Sequence, residues 1–503
     1  MLRSLFYFCT FLSVLAAPSA WSRPNLLLIT LDDLNADSVG VFGAHLPGTT
    51  PRIDALAAEG MRFDLAHVQV ANCMPSRNVL WSGRYPHSSR VLGFYPVLDP
   101  GYPMLPDLMR QAGYFAGIYN KVHDSTPYEP YPWDMVLNDS SALVGAHKKN
   151  PEDYGRALRV GIGAAAAAKK PFVLVMNVSD AHVPFYGLNR RSQPRPDPYR
   201  PSRVFAADEV PVPAYLVEDP EVRFELAHYF SSVRRADDAV GAMLSTLEEL
   251  DLHRDTLVMV LADHGMPFPF VKTQLYHHST RTPLIVRWPD TVPADTVDRE
   301  HMVSAVDVLP TLLDVVEQPL PAGLQGRSFL GLLRGGKQQQ RDAVFKEYHE
   351  NSAGQPTPMR AIETPRFLYI YNPWSDGARQ QFSATFQTLT YQRMEQLAGQ
   401  DEALAARIAL LRYRVPEELY DVQSDPDCLH NLIDDPNYRA HLDRLRARLA
   451  DWMARTSDPL LRVFENRQDT RQVEAYMAEQ MRQAKIHREL KAEHKARQRS
   501  PQL

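Results

Sequence analysis

Three aspartates and a histidine define the chemistry open to this sequence. Asp32 and Asp33 close the run NLLLITLDD, and Asp263 and His264 close TLVMVLADH. Together they offer three hard oxygen ligands and one adaptable nitrogen donor. Carboxylates gathered in one place are costly to leave unpaired, so a divalent cation is their natural counter-charge. Mostly oxygen ligation favours Ca2+ or Mg2+ over Zn2+. Any one of these Asp residues reads equally well as a helix cap. The set reads as a metal site.

The segment NCMPSRNVLWSGR, residues 72–84, adds a candidate nucleophile. Pro75 and Ser76 suit a helix start and Gly83 suits its stop. Cys73 then lies where the helix dipole favours negative charge, with Arg77 one turn on, so its thiol is expected to be activated. A thiolate beside a hard cation is nonetheless mismatched. The position suits an oxygen nucleophile and carries sulfur.

Buried strands must deliver these residues. Residues 25–31, 172–178 and 257–262 are continuous apolar runs of the kind found in parallel strands. Asp180 and His182 follow the second run. A shorter strand in YFAGIYNKVH ends at Lys121 and His123. A helix is expected after Asp219-Pro220, with Leu226, Phe230, Val233, Val240, Leu244 and Leu247 on one stripe. This alternation predicts an α/β fold with a mostly parallel sheet sandwiched by helices, and ligands at the carboxyl ends of its strands. Four polar strand ends at one sheet edge predict one site. The Pro- and Arg-rich stretch 193–213 is expected to be a long irregular loop forming one wall of a cleft. The alternation predicts one large α/β domain over residues 21–340, which carries the candidate site. A smaller α+β domain is expected over 341–465, and a polar, exposed helical tail over 466–503.

Sixty acidic and 55 basic residues give a formal charge of -5 over 503 residues, with no basic excess for nucleic acid. A basic start, an apolar run to Ala17 and small residues after it predict a signal peptide over 1–20 and an exported protein. The compartment would be periplasmic, extracellular or lysosome-like. Cys9 leaves with that segment, and no stable membrane association is expected afterwards. Cys73 and Cys428 remain, either as one disulfide or as two cysteines with separate roles.

CMPSRNVLWSGR resembles the signature of type I sulfatases, members of the alkaline-phosphatase superfamily. RPNLLLITLDDLN, NKVH, KTQLYHHSTRTPLIV, SAVDVLPTLLD and EELYDVQSDPDCLHNL are similar to further landmarks of that family. DHGMPFPFVKTQLY, PEVRFELAHYFSSVRRAD and YHENSAGQPTPMR are similar to its heparan N-sulfatase (sulfamidase) branch. The resemblance implies that Cys73 is converted to formylglycine by a formylglycine-generating enzyme. It also implies that Asp32, Asp33, Cys73, Asp263 and His264 surround one Ca2+, with Mg2+ as the alternative. Arg77 and Lys121 would hold the formylglycine and sulfate oxygens. His123 would take the proton that releases sulfate, and His182 and Lys272 would contact the sulfate and protonate the leaving group. Asp180, His349, Glu350 and Arg360 would grip the sugar. His264 stands where the branch has Asn. Lys272 stands where it has Arg, which keeps the charge and loses the planar fork. Tyr276, His277 and His278 are expected in structural roles.

The expected reaction is hydrolysis of the N-sulfate of a terminal glucosamine in heparin or heparan fragments. An O-sulfatase on another sulfated sugar, a phosphomonoester or phosphonate hydrolase, and a catalytically silent sugar-binding protein are the alternatives. A homodimer is compatible with each.

Overall fold

The computed structural model describes residues 23–97, 99–129 and 131–499; the expected signal segment, with Cys9, lies outside them. Ten strands occupy the first part of the chain: β1 (Asn25–Leu31), β2 (Met61–Phe63), β3 (Ala66–His67), β4 (Phe115–Tyr119), β5 (Met135–Val136), β6 (Phe172–Val178), β7 (Thr256–Ala262), β8 (Leu284–Arg287), β9 (Thr296–Asp298) and β10 (Val303–Ser304). All but β3 and β10, which pair with each other, form an eight-stranded sheet in the order β5-β4-β6-β1-β7-β8-β2-β9. Only β8 runs against its neighbours. The four strands expected from the apolar runs are therefore the consecutive strands β4, β6, β1 and β7.

Register fixes the site. Leu31 stands beside Val178 on one side and Ala262 on the other, so the residues that follow all leave the sheet at one edge. The interiors of β1, β6 and β7 are completely buried, which their near-continuous Leu, Ile, Val and Met content explains. Helices Pro51–Ala58, Pro151–Ala167 and Pro220–Glu249 form one packed group, and Cys73–Ser82, Leu105–Gln111 and Val308–Val315 form another.

A second, antiparallel sheet follows, with β11 (Val344–Glu350), β12 (Pro356–Glu363), β13 (Phe367–Tyr371) and β14 (Glu417–Asp421) in that order. Helices Leu389–Ala398, Glu402–Tyr413 and Arg439–Thr456 accompany it. The terminal helix Thr470–Arg499 differs from the exposed tail expected of so polar a segment. It buries Met477 and Ala484, and Arg488 donates to the Gly354 carbonyl. The stretch 193–213 is likewise pinned to helix Pro220–Glu249. The Phe205 amide donates to Ser231 Oγ at 3.0 Å, and Arg235 Nη1 lies 2.8 Å from Asp197 Oδ2. No helix among the described residues is long and apolar enough to cross a membrane.

Arg360 on β12 sets a test of stability. Its guanidinium is fully buried and pairs with Asp458 Oδ2 at 2.5 Å and Glu347 Oε2 at 3.3 Å. Arg360→Met leaves the buried Asp458 carboxylate without its cation and Glu347 reliant on His87, and is expected to cost about 3–5 kcal/mol. Arg366→Ala breaks a pair whose arginine is half exposed, and is expected to cost less than about 1 kcal/mol. Chemical denaturation of both variants reads the difference; equal costs would refute this account of the joint.

Candidate functional site

Helix Cys73–Ser82 starts at Cys73 and is stopped by Gly83, whose φ of +63° is the left-handed geometry expected of a glycine cap. The helix carries Cys73 and Arg77 beneath the edge where β1 and β7 end. Ser76 Oγ donates to the Asp263 carbonyl at 2.5 Å and ties the helix to the β7 tip. Gly265 packs so tightly that a Cβ there would collide with the His278 carbonyl and crowd Asn35 Oδ1.

Arg77 lies at the centre of the site and is wholly buried. Nη2 is 2.9 Å from Asp263 Oδ2 and 3.4 Å from Asp32 Oδ1. Nη1 donates to Thr30 Oγ1 at 2.5 Å and to Asn177 Oδ1 at 2.6 Å. The remaining cations face the same carboxylates. Lys121 Nζ is 2.9 Å from Asp32 Oδ2, and Lys272 Nζ donates to both oxygens of Asp33 at 2.7 and 2.8 Å. Lys121 and Asp33 hold left-handed backbone, with φ of 48° and 59°, a strain typical of residues fixed by a site.

These charges govern ionisation. Burial alone would push the Asp32 carboxyl up, but Lys121, His182 and Arg77 outweigh it and hold Asp32 well below the usual carboxylate range. Burial is likewise outweighed at Asp33, chiefly by Lys272. At Asp263 burial prevails over His264 and Arg77, and the carboxyl is pushed up to about 6. Burial also pushes the Cys73 thiol well above its ordinary value, despite Lys272 and Lys121. The activated thiol expected from the helix dipole is therefore corrected: the N-terminus contributes about 1 kcal/mol, and desolvation of a thiolate costs several times that.

The donors fit a hard divalent cation. The ligand atoms of Asp33, Cys73 and His264 lie within 4.8 Å of one another, as do those of Asp32, Cys73 and Asp263. Asp32 Oδ2 and Asp263 Oδ2 are buried and accept no hydrogen bond, although each has a cation at 2.9 Å. Such orphaned oxygens are what a bound ion would satisfy. His264 Nδ1 bonds the Gly265 carbonyl at 2.9 Å, which turns Nε2 toward Asp33 Oδ1 at 3.1 Å and Cys73 Sγ at 3.3 Å.

His182 and Lys121 mark the mouth, with side chains 29% and 21% exposed. His182 Nδ1 donates to the Val183 carbonyl at 2.6 Å, and Nε2 is 4.0 Å from Asp33 Oδ2. Burial pushes the His182 imidazole down to about 4. His123 sits beside Lys121, its Nδ1 buried without a hydrogen-bond partner.

Among the residues expected to grip a sugar, the structure separates the four. Asp180 is held by Arg235 Nε at 2.7 Å and Lys149 Nζ at 2.7 Å, so its carboxylate braces the β6 tip and is not free for a ligand. Arg360 is occupied at the joint between β11, β12 and Asp458. Glu350 Oε2 pairs with His487 Nδ1 at 3.0 Å, while its carbonyl accepts from Asn72 Nδ2 at 3.2 Å, one residue before Cys73. His349 is buried; its Nε2 lies 3.4 Å from Glu347 Oε2 and its Nδ1 has no hydrogen-bond partner. His277 and His278 bond Glu363 and Asp427, the structural roles expected of them. Cys73 and Cys428 are both free thiols, so the disulfide alternative is set aside.

Three site residues escaped the sequence reading. Thr30 and Asn177 interrupt otherwise apolar strands, and that interruption was the available signal. Lys149 also donates to the Ser179 and His182 carbonyls, at 3.0 and 2.8 Å; within HKKN it looks like a solvated lysine.

A sequence model of the family described as Sulfatase matches residues 24–318, and one described as N-sulphoglucosamine sulphohydrolase, C-terminal, matches residues 263–376. The chain is 29% identical to human N-sulphoglucosamine sulphohydrolase over 481 residues, covering 90% of this chain and 94% of the relative. It is 26% identical over 496 residues to a Delta 4,5-hexuronate-2-O-sulfatase of Bacteroides thetaiotaomicron, covering 88% of this chain and 91% of the relative. A solved structure in complex with D-glucosamine-2-N,6-O-disulfate shares the fold, with a TM-score of 0.63 at 18% identity over 87% of this chain and 99% of that one. The buried carboxylates at the strand tips, the helix that begins at Cys73 and a family match over more than half of the sequence lead to one conclusion: this chain belongs to the sulfatase family and is a sulfuric ester hydrolase.

Proposed function

We propose that this sulfatase is exported and removes the N-sulfate of a terminal glucosamine in heparin or heparan fragments, using formylglycine at position 73 and one bound divalent cation. The observation that carries the reading is the setting of Cys73. It shares ligand distance with both carboxylate groups of the site, while its own thiol is held protonated by burial. A residue so placed is useful as an oxygen nucleophile after conversion, and poor as sulfur. Likeness to the human N-sulphoglucosamine enzyme and to its C-terminal family model supports the N-sulfate.

Charge bookkeeping explains why a sulfate would bind. Asp32, Asp33 and Asp263 face Arg77, Lys121 and Lys272, so the buried charges cancel when all three carboxylates are ionised. Asp32, Asp33, Asp263, His264 and residue 73 would hold the cation, which supplies positive charge to the sulfate oxygens and lowers the pKa of the attacking hydroxyl. Filling that position leaves the site with net positive charge, which suits an anion. Lys121 and Lys272 are then placed to release their carboxylates and turn to sulfate oxygens. His182 presents Nε2 at the mouth, where, once protonated, it can pass its proton to the departing nitrogen. His123 is the base for the proton lost as sulfate leaves.

Sulfate release from N-sulfoglucosamine and from 6-O-sulfated N-acetylglucosamine, on protein made with a formylglycine-generating enzyme, tests the reaction. N-sulfate turnover is expected, falling at least about a thousandfold in Cys73→Ala. Turnover of the O-sulfate alone would replace the substrate, and turnover of phosphate or phosphonate esters alone would overturn the reading. Chelation with EDTA is expected to abolish turnover and lower Tm while circular dichroism stays native, because the ion binds only the folded state and the carboxylates retain their cations. Ca2+ or Mg2+ should restore both; unchanged turnover after chelation would remove the ion from the proposal. Burial outweighs Asp124 and holds His123 below the ordinary histidine value of 6.5. As a base it must be neutral, so the acid limb of the kcat–pH profile is expected to have its midpoint below pH 6.5. A midpoint above pH 7 would argue for a different base.

A further inference from the structure

The terminal helix Thr470–Arg499 lies beyond both matched family models, which end at residues 318 and 376. Its sequence has no apolar stripe, yet it presents a single face to the body of the protein. Tyr476, Gln480, Gln483, His487, Leu490 and His494 recur at helical spacing and are partly buried, while Glu479, Arg482, Lys485, Glu489 and Glu493 face solvent. The His487 ring stacks on Tyr95 at 3.8 Å, and the His494 ring stacks on His123 at 5.5 Å, inclined by 14°. The helix therefore reaches from the segment around Tyr95 to the residue assigned as the base.

A cavity of about 510 Å3 lies beneath that face, within the roughly 300–1,000 Å3 usual for ligand pockets. Tyr95, His349, Tyr476, Gln480, Gln483 and His487 contribute to its lining. Two aromatic rings and two amides suit a pyranose, which has flat apolar faces and a rim of hydroxyls. His349 is the second observation. It is 94% buried on the cavity wall, its Nδ1 has no hydrogen-bond partner, and its Nε2 lies 3.4 Å from Glu347 Oε2, an oxygen that also takes His87 Nδ1 at 2.7 Å. No side chain of the catalytic set lines the cavity, but its walls reach toward that set from two sides: Glu350, next to His349, accepts from Asn72 beside Cys73 through its carbonyl, and the helix that carries Gln480 and Gln483 continues to His494 on His123.

We infer that the terminal helix completes a saccharide subsite, in which Gln480, Gln483, His349 and the two tyrosines hold the sugar ring next to the one bearing the sulfate. The inference rests on the proposed glycan sulfatase activity and predicts a preference for oligosaccharides over monosaccharides, carried by a segment outside the family models. The face that Met477 and Ala484 anchor also presents Gln480 and Gln483 toward the cavity, where amides suit sugar hydroxyls.

The test is a Gln480→Ala/Gln483→Ala double variant, which keeps the helix because alanine is the best helix former. The ratio of kcat/KM for a tetrasaccharide ending in N-sulfoglucosamine to that for N-sulfoglucosamine itself is expected to fall about tenfold, from the loss of two amide contacts. An unchanged ratio would overturn the subsite. Calorimetric titration of the tetrasaccharide into Cys73→Ala, with and without the two glutamine changes, reads the subsite without turnover. A roughly tenfold weaker affinity supports it, and equal affinity, or no binding by either protein, overturns it. Wild-type protein that binds the tetrasaccharide through these glutamines but cleaves neither N-sulfated compound would sink the proposed function and leave the subsite standing.

Discussion

A guanidinium with no access to water is the constraint on which the rest of this structure depends. Arg77 needs carboxylates because it is buried, and Asp32 and Asp263 need it because they are buried too. Neither side is tolerable alone. The parallel register of β6, β1 and β7 brings the acids to one edge, and the helix beginning at Cys73 brings the arginine up from below. Thr30 and Asn177 then fix the orientation of its fork. The nucleophile position is thereby set by a chain of buried electrostatic obligations, with little freedom left to the loops around it.

The second sheet does more than follow the first. Asn72, one residue before Cys73, is bonded to the end of β11. The loop that carries Lys272 is stitched to the later part of the chain as well. Thr273 Oγ1 bonds Ser383 Oγ at 2.7 Å, and Gln274 Nε2 donates to Gln381 Oε1 at 2.9 Å. Thr273 holds left-handed backbone at φ 66°, which those contacts secure. Lys272 is thus positioned by groups more than a hundred residues downstream.

Much of this was legible in sequence wherever one rule governed. Apolar runs ending in carboxylates announced β1, β6 and β7, and Pro75 with Gly83 announced the helix limits at Cys73. Legibility failed where two effects compete. The dipole at Cys73 was readable and the burial that defeats it was not, because burial belongs to the assembled fold. Asp180 looked like a ligand because its partners, Lys149 and Arg235, lie 31 and 55 residues away. Arg360 was misplaced for the same reason, as Asp458 lies 98 residues further on. The terminal helix looks solvated in sequence because its packed face mixes Met477 and Ala484 with Gln480, Gln483 and His487, which leaves no apolar stripe for hydrophobic periodicity to reveal.

Burial of the signature around Cys73 has a consequence for how the protein is made. Cys73 is 3% exposed, and Pro75 and Arg77 are buried with it in the same helix. On the proposed conversion of residue 73, a modifying enzyme would have no access to it in the finished protein. Conversion would then have to come before β1 and β7 close over the helix, in the interval between synthesis and folding, and a chain that folded first would keep its thiol.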